Sequence, residues 1–236
     1  GILVLAIART FYQHLVDAAE NTRDFIRMTA AALRFVMCLM LPCAAMLIIF
    51  SELLVRIVYQ RGAFDEQSVE LTTMAFKCYA PGIVGMTLLA ILTRAFNALR
   101  DTKTPVLVSI VMMGINIVLN YALVRTALAH AGLALASSIA YTFAGLALLY
   151  LIKRKLQEKN NRYKPDFKLF SPFIKIMAAT ALASVAGFWT VSFVPGSAGP
   201  WSNLIWLIVG SVAFGMVYIA GLYIFRLPIK SLVKVE

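Results

Sequence analysis

The sequence is poor in the residues that catalytic and metal-binding sites usually need. It contains three cysteines, two histidines and 11 acidic residues in a chain of 236. The cysteines lie in apolar segments without the paired spacing of a redox or zinc motif, and the histidines are isolated. We find no glycine-rich phosphate loop and no pairing of a nucleophile with a base. The sequence therefore predicts a protein that is not an enzyme and has no cofactor.

Charged residues of either sign are also scarce. They make up 14% of the chain, whereas 61% of the residues are hydrophobic and the mean hydropathy is +0.82. Soluble domains contain about 25% charged residues, so this composition is typical of a chain that is solvated partly by lipid. In a soluble protein a net charge of +11 would suggest nucleic acid binding. Here the basic residues lie between apolar runs, which indicates membrane topology signals and no nucleic acid partner.

Six apolar stretches are long enough to cross a bilayer, which requires roughly 20 residues of helix. Because the backbone must satisfy its own hydrogen bonds in lipid, each stretch is predicted to be a helix. The predicted fold class is all-α, a polytopic transmembrane helix bundle. The six stretches are Ala31–Phe50, Leu71–Thr93, Val106–Val124, Leu133–Ile152, Pro172–Val194 and Leu204–Phe225.

The segments between these spans complete the predicted organisation. Residues 1–8 are apolar but too short to span a bilayer, so we interpret them as the end of a preceding transmembrane helix, and the chain as a C-terminal fragment. Residues 9–29 are amphipathic and predict a cytoplasmic connector at the membrane surface, with a plain solvated connector as the alternative. Residues 30–152 would form a four-span core, residues 153–171 a basic cytoplasmic linker, and residues 172–236 two further spans and a cytoplasmic tail.

The distribution of lysine and arginine predicts the orientation of the bundle. When the connector before the first span is placed inside, most of the 22 basic residues fall in inside connections. The outside connections carry only Arg61 and Arg125. Because basic residues concentrate in the cytoplasmic loops of membrane proteins, both ends of the chain are predicted to face the cytoplasm.

Polar side chains within the spans are the candidate functional residues, because they are costly to place in lipid. Asn116 and Asn120 are four residues apart and share one face of the third span. They could coordinate a cation or hydrogen-bond a neighbouring helix, and the spacing leaves both roles open. The hydroxyls of Ser137, Ser138 and Thr142 on the fourth span could complete this cluster.

Two basic residues of the second span, Lys77 and Arg94, are candidates for contact with an anionic substrate. Lys77 lies near the outer end of the span and Arg94 near its inner end, so each could instead reach its own interface. If they face a water-filled cavity, they would suit a pyrophosphate. Glu52 and Arg56 are four residues apart and are predicted to form a structural ion pair.

Three motifs, in this order, resemble the MurJ/MviN family of lipid II flippases. They are LLVRIVYQRGAF at Leu53–Phe64, AFNALRDTKTP at Ala95–Pro105 and HAGLALAS at His130–Ser137. The order and spacing of all three motifs agree with that family. The residues that carry the first two motifs are Arg56, Arg61, Gly62, Phe64, Arg100, Asp101, Thr102 and Pro105.

The resemblance implies the second lobe of a fourteen-helix, MATE-like exporter in the bacterial inner membrane. The implied function is translocation of lipid II, the undecaprenyl-pyrophosphate-linked peptidoglycan precursor, by alternating access driven by Na⁺ or membrane potential. The implied partners are this lipid-linked substrate, membrane lipids and a missing N-terminal lobe that holds the main substrate arginines. The family often has an acidic residue where this chain has Asn120. The implied sodium ligands in this chain are Asn116, Asn120, Ser137 and the backbone of Leu133.

By the same resemblance, the last two spans would form a groove for the long lipid tail. Four glycines in these spans could leave space for the tail, or could equally serve helix packing. They are Gly187, Gly210, Gly215 and Gly221.

Other functions remain open from the sequence alone. They include a flippase for another polyprenyl-linked oligosaccharide and a drug or ion antiporter of the same superfamily. A membrane scaffold without transport would place Asn116 and Asn120 in sealed helix contacts or against lipid. A membrane enzyme would need paired carboxylates or a histidine cluster at membrane depth, whereas the spans offer only Glu52 near an edge.

Overall fold

The computed structural model describes residues 12–59, 64–126, 129–159, 167, 169–194 and 200–225, and all regular structure in these ranges is helical. A helical segment at residues 12–18 precedes seven longer elements. The predictions for residues 1–8, Arg61, Gly62, residues 160–166 of the linker and residues 226–236 of the tail lie outside the described residues. The helices are α1 (Thr22–Ile49), α2 (Ser51–Tyr59), α3 (Glu66–Ala98), α4 (Lys103–Leu123), α5 (Ala129–Lys159), α6 (Phe170–Ser192) and α7 (Pro200–Ile224).

Six of the described helices are long and apolar enough to cross a membrane, and each overlaps one predicted span. The predicted all-α transmembrane bundle is therefore confirmed. Five of these helices are longer than the predicted spans, because residues beyond the predicted ends continue the same helix, whereas α6 has the predicted length and is shifted by two residues. α3 extends beyond Leu71–Thr93 in both directions, and α5 continues from Ile152 to Lys159. The first seven residues of the predicted basic linker are therefore helical.

The predicted amphipathic connector is not one helix. The helical segment at residues 12–18 ends in a turn, and the side chain of Asn21 then accepts a hydrogen bond from the backbone N–H of Arg23 at 3.0 Å. This contact caps α1, which therefore begins inside the predicted connector. Leu15 of the short segment is fully buried in the hydrophobic core. The segment thus packs on the bundle through this side chain.

The most extensive helix contact joins α3 and α5. Two glycines of α3 allow the close approach. A Cβ atom at Gly85 would lie 2.5 Å from the backbone nitrogen of Thr142, and one at Gly82 would lie 2.6 Å from Ser138 Oγ. Small residues at a helix interface let two membrane helices pack backbone to backbone. α4 contacts mainly α5, and its described buried residues are Pro105 and Val108.

α6 and α7 pack as a pair and are joined to the rest by α1 and α2. The ring of Phe50, at the break between α1 and α2, packs directly against Gly210. A Cβ atom at Gly210 would lie only 2.5 Å from this ring. Gly187 and Gly221 also face neighbouring atoms, whereas a Cβ atom at Gly215 would meet none within 4 Å. Three of the four glycines named for the lipid groove therefore serve helix packing.

A second attachment of α7 to α1 is polar. The Tyr218 hydroxyl donates a hydrogen bond to the backbone oxygen of Cys38 at 2.5 Å, and the Cys38 Sγ atom lies 3.3 Å from the same hydroxyl. Tyr218 is 9% exposed. The contact fixes the register of α7 against α1.

The two ends of the bundle differ in their charged residues. At one end α3 ends, α4 begins and α5 ends, and we call this the basic end because it carries Arg100, Lys103 and Lys155. At the opposite end α1 ends, α2 follows and α3 begins. This opposite end carries Glu52, Glu66 and other acidic residues.

Candidate functional site

A chain of hydrogen bonds connects the predicted polar residues of α4 and α5. The Asn120 side-chain nitrogen donates to Asn116 Oδ1 at 2.9 Å. Asn116 Nδ2 donates to Ser137 Oγ at 3.3 Å, and the Ser137 hydroxyl donates to the Leu133 backbone oxygen at 3.1 Å. The structure therefore brings all four residues of the predicted ion site together. Asn116–Ser137 is the contact that crosses from one helix to the other.

One side-chain oxygen in this series of hydrogen bonds has no hydrogen-bond partner. Asn120 Oδ1 is buried and makes no hydrogen bond. A buried acceptor without a partner loses the hydrogen bonds that water would give it, which costs roughly 1–3 kcal/mol. Asn120 Oδ1, Asn116 Oδ1, Ser137 Oγ and the Leu133 carbonyl oxygen are neutral oxygens, the kind of ligand that hard cations take. Because these four groups carry no charge, the set fits a monovalent ion such as Na⁺ better than a divalent one.

Two further hydroxyls named for this cluster do not join it. Ser138 Oγ donates to the backbone oxygens of Cys78 at 2.7 Å and Tyr79 at 3.2 Å, both on α3. Thr142 Oγ1 donates to the Ser138 backbone oxygen at 2.8 Å. Ser138 follows Ser137 directly and therefore lies about 100° around the helix from it. Its side chain serves the α3–α5 interface instead.

Lys77 and Arg94 lie in two separate clefts. They are 17 residues apart on α3, which corresponds to about 25 Å along the helix axis. Lys77 lines a cleft of about 670 Å³ at the opposite end. Arg94 donates to the Ala90 backbone oxygen at 3.3 Å and lines a cleft of about 410 Å³ at the basic end. One pyrophosphate could not contact both residues in this arrangement.

The Glu52–Arg56 ion pair is confirmed, and the structure adds a second acid to it. Arg56 Nη2 lies 3.0 Å from Glu52 Oε1 and 2.8 Å from Glu66 Oε2. The hydrogen bond to Glu66 and that to Glu52 raise the pKa of Arg56 above its usual value, against the opposing effect of burial. The motif arginine thus ties α2 to the start of α3. Phe64 of the same motif stacks on Tyr59, with ring centroids 5.9 Å apart.

The turn between α3 and α4 contains Arg100, Asp101 and Thr102 of the second motif. Arg100 has a φ of 57°, in the left-handed region that side chains rarely adopt. Asp101 Oδ1 accepts from the Thr104 backbone N–H at 3.1 Å, and its Oδ2 accepts from the Thr104 hydroxyl at 2.8 Å. Thr102 makes no such capping bond, and Pro105 is buried in the first turn of α4. The aspartate therefore caps α4, one residue before the usual capping position.

Asp101 also pairs with Lys155, 54 residues further along the chain. Burial alone raises the pKa of the Asp101 carboxyl, but hydrogen bonds from Lys155 and Thr104 and the Lys155 charge lower it to about 2. The sequence places Lys155 in the predicted basic linker and assigns it no contact. Its distance along the chain left no local signal for this contact, although the helical continuation of α5 beyond Ile152 makes the contact reachable.

The chain was compared with known protein families, curated proteins and solved structures. The family described as "Lipid II flippase MurJ" matches residues 1–209. A "Probable lipid II flippase MurJ" of Rhizobium meliloti is 25% identical over 224 residues, which cover 92% of this chain and 40% of that protein. Another, of Thermotoga maritima, is 30% identical over 185 residues, covering 77% of this chain and 34% of the relative.

A solved structure titled "Lipid II flippase MurJ, inward closed conformation" matches 99% of this chain with a TM-score of 0.73. The identity is 20%, so this likeness shows the fold, and it covers 46% of the solved chain. This chain therefore spans less than half the length of the relatives that it matches.

Proposed function

The chain belongs to the MurJ family of lipid II flippases, and we propose that it is the second lobe of such a flippase. Members of this family are membrane transporters and not enzymes. The observation that carries the proposal is the family match over residues 1–209, supported by the likeness of the whole described bundle to a solved flippase. The proposed reaction moves lipid II, the undecaprenyl-pyrophosphate-linked peptidoglycan precursor, from the inner to the outer leaflet by alternating access.

We propose that the other wall of the transport cavity lies in the part of the relatives that this chain does not cover. α4 supports this proposal, because it is the described helix with the least burial and packs mainly on α5. Many of its large apolar side chains are exposed, including Leu107, Ile117 and Val118. A lobe partner, membrane lipid or both would cover such a face.

The proposed orientation places the basic end in the cytoplasm of a bacterial cell, at its inner membrane. Arg100, Lys103 and Lys155 lie at this end, and the positive-inside rule supports the assignment. Both ends of this chain would then be cytoplasmic. The cleft lined by Lys77 would face the outer side of the membrane.

We propose that the asparagine chain of α4 contributes to a Na⁺ site that couples ion entry to transport. Asn120 Oδ1 supports this role because it is a buried acceptor without a partner. The alternative role is helix attachment, which the Asn116–Ser137 hydrogen bond would provide without an ion. A scaffold would need only that attachment. The two roles differ in whether Na⁺ changes the stability of the protein.

The function is tested by complementation with the full-length protein that contains this chain. It is expressed in a bacterium from which the resident flippase can be depleted, and lipid II in the membrane is measured. We expect growth to be restored and lipid II accumulation to be prevented, and we expect this chain alone to do neither. A full-length protein that reaches the membrane while lipid II still accumulates would refute the proposal. If another lipid-linked saccharide accumulates and is then cleared, the alternative polyprenyl substrate is favoured.

A further inference from the structure

A polar cleft between α2 and α3 has no part in the function proposed above. It encloses about 670 Å³ at the opposite end of the bundle. Glu66, Glu70, Thr73 and Lys77 line it from α3. Their spacing of four, three and four residues puts them on one face of the helix. The cleft is therefore walled by one continuous polar stripe.

Some charged side chains of this cleft are paired with each other, and others are not. Arg56 is bonded to both Glu52 and Glu66, so one cation serves two acids of the wall. In the part of the chain that the structure describes, no oppositely charged group lies within 4 Å of Glu70 or Lys77. These two residues are two helical turns apart, about 10 Å along the axis. The stripe thus presents one anion and one cation at a fixed separation.

A buried hydroxyl without a partner lies between these two charges. Thr73 is 6% exposed, and its Oγ1 makes no hydrogen bond. Thr87 and Thr180 bond to the carbonyl four residues earlier, Ile83 at 2.6 Å and Ile176 at 2.8 Å. The buried Thr29 of α1 makes no such bond, and neither does Thr73. Its hydroxyl is the group in this cleft that lacks the usual internal partner.

We propose that this cleft binds a zwitterionic peptide segment of about three residues. An extended chain advances about 3.3–3.6 Å per residue, so three residues match the separation of Glu70 and Lys77. The ammonium group would bind the Glu70 carboxylate and the peptide carboxylate would bind the Lys77 ammonium. The Thr73 hydroxyl would bond to a peptide group between them. A metal ion is disfavoured by the ligand set, since no group of three or more metal-binding side chains occurs in the described residues.

Such a segment has two sources with the same chemistry. One is a free peptide outside the cell, and the other is the peptide part of the lipid-linked precursor. The second source rests on the proposed function, because only a flippase for a peptide-bearing lipid would deliver it to this cleft. The first does not depend on transport.

The test uses the full-length protein in lipid nanodiscs and three probes that share the same three alanine residues. They are trialanine, N-acetyl-trialanine, which lacks the ammonium, and trialanine amide, which lacks the carboxylate. We expect trialanine to bind at least tenfold more tightly than either blocked peptide by calorimetry. Glu70→Gln should abolish the preference over the acetylated peptide, and Lys77→Gln the preference over the amide. Thr73→Val should weaken trialanine binding several-fold, since it removes a hydroxyl at nearly constant shape.

Glu20→Gln, an exposed acid outside the cleft, is the matched control and should bind trialanine as the unchanged protein does. Equal binding of the three probes, or unchanged binding to Glu70→Gln, would overturn the inference. Competition of trialanine with lipid II for the protein would assign the cleft to the lipid-linked source, and binding without competition to the free one. If complementation succeeds while no probe binds, the inference fails and the proposed function stands. If trialanine binds as expected while complementation fails, the inference stands and the proposed function fails.

Discussion

The contact between Asp101 and Lys155 gives a prediction that can be worked from the structure. Asp101→Asn keeps an oxygen that can accept from the Thr104 backbone N–H, so the cap of α4 is retained. It removes the negative charge that Lys155 faces on α5. The variant also replaces Oδ2, which accepts from the Thr104 hydroxyl, so it removes the charge together with that one side-chain bond.

The pKa of Asp101 gives the size of the stabilisation that its charge gains from Lys155 and Thr104 together. A fall from 3.8 to about 2 corresponds to about 2 kcal/mol of stabilisation at 1.36 kcal/mol for each pKa unit. The Lys155 side chain is 40% exposed, so solvent screening reduces the expected value to ~1 kcal/mol. Because the folded pKa is below the unfolded one, this stability is complete above about pH 4 and is lost as the pH falls towards 2.

The assay is thermal unfolding of the full-length protein in detergent at a series of pH values. We expect Asp101→Asn to lower the Tm by about 1–2 °C at pH 7, and the difference from the unchanged protein to vanish between pH 4 and pH 2. Glu158→Gln is the control, because its pair with Arg154 is 66% exposed on both sides and should change the Tm less than Asp101→Asn does. A Tm difference that stays constant from pH 7 to pH 2 would show that the charge is not the cause.

Three further predictions concern the ion site and the packing of the bundle. Asn120→Asp should give a Tm that rises with added NaCl more than with equal KCl, whereas Asn120→Leu should respond equally to both salts. A Cβ atom at Gly85 would lie within 2.7 Å of the α5 backbone, so Gly85→Val should separate α3 from α5 and lower the Tm strongly in a thermal scan. Gly215→Ala is the control. Its Cβ atom meets no neighbour within 4 Å, so it should leave the Tm unchanged. Tyr218→Phe removes the bond to the α1 backbone and should reduce the free energy of unfolding in denaturant titration by about 0.5–1.5 kcal/mol; an unchanged value would mean that water replaces the bond.

The sequence predicted the six spans and the pairing of the asparagines because both depend on local periodicity. Apolar length identifies a membrane helix, and a spacing of four residues puts Asn116 and Asn120 on one face whatever the rest of the bundle does. Placing Ser137 opposite them also succeeded, since α4 and α5 are joined by a short connection. The prediction for Ser138 failed, because which neighbour each face of α5 meets depends on how α3 packs, through glycines such as Gly82.

Helix ends, and ion pairs between residues far apart along the chain, could not be predicted from local periodicity. Composition marks the hydrocarbon-spanning part of a helix, while polar residues such as those at the end of α5 continue the helix without an apolar signal. The same continuation carries Lys155 to Asp101, and no pattern along the chain connects two residues 54 positions apart. For Lys77, composition showed a cation near a membrane surface, but the acids that line the cleft with it depend on the fold of α2 against α3.

The attachment of α4 has a consequence for the proposed transport. Its described buried residues are Pro105 and Val108, both near the basic end, so apolar packing holds the rest of the helix weakly. Beyond this end, the described polar contact between α4 and α5 runs from Asn116 to Ser137. A cation that takes the oxygens of Asn116 and Asn120 would compete with the hydrogen bond between them. Ion binding would therefore alter the hydrogen bond next to the Asn116–Ser137 contact between α4 and α5, while the capped turn at Asp101 keeps the basic end of α4 in place.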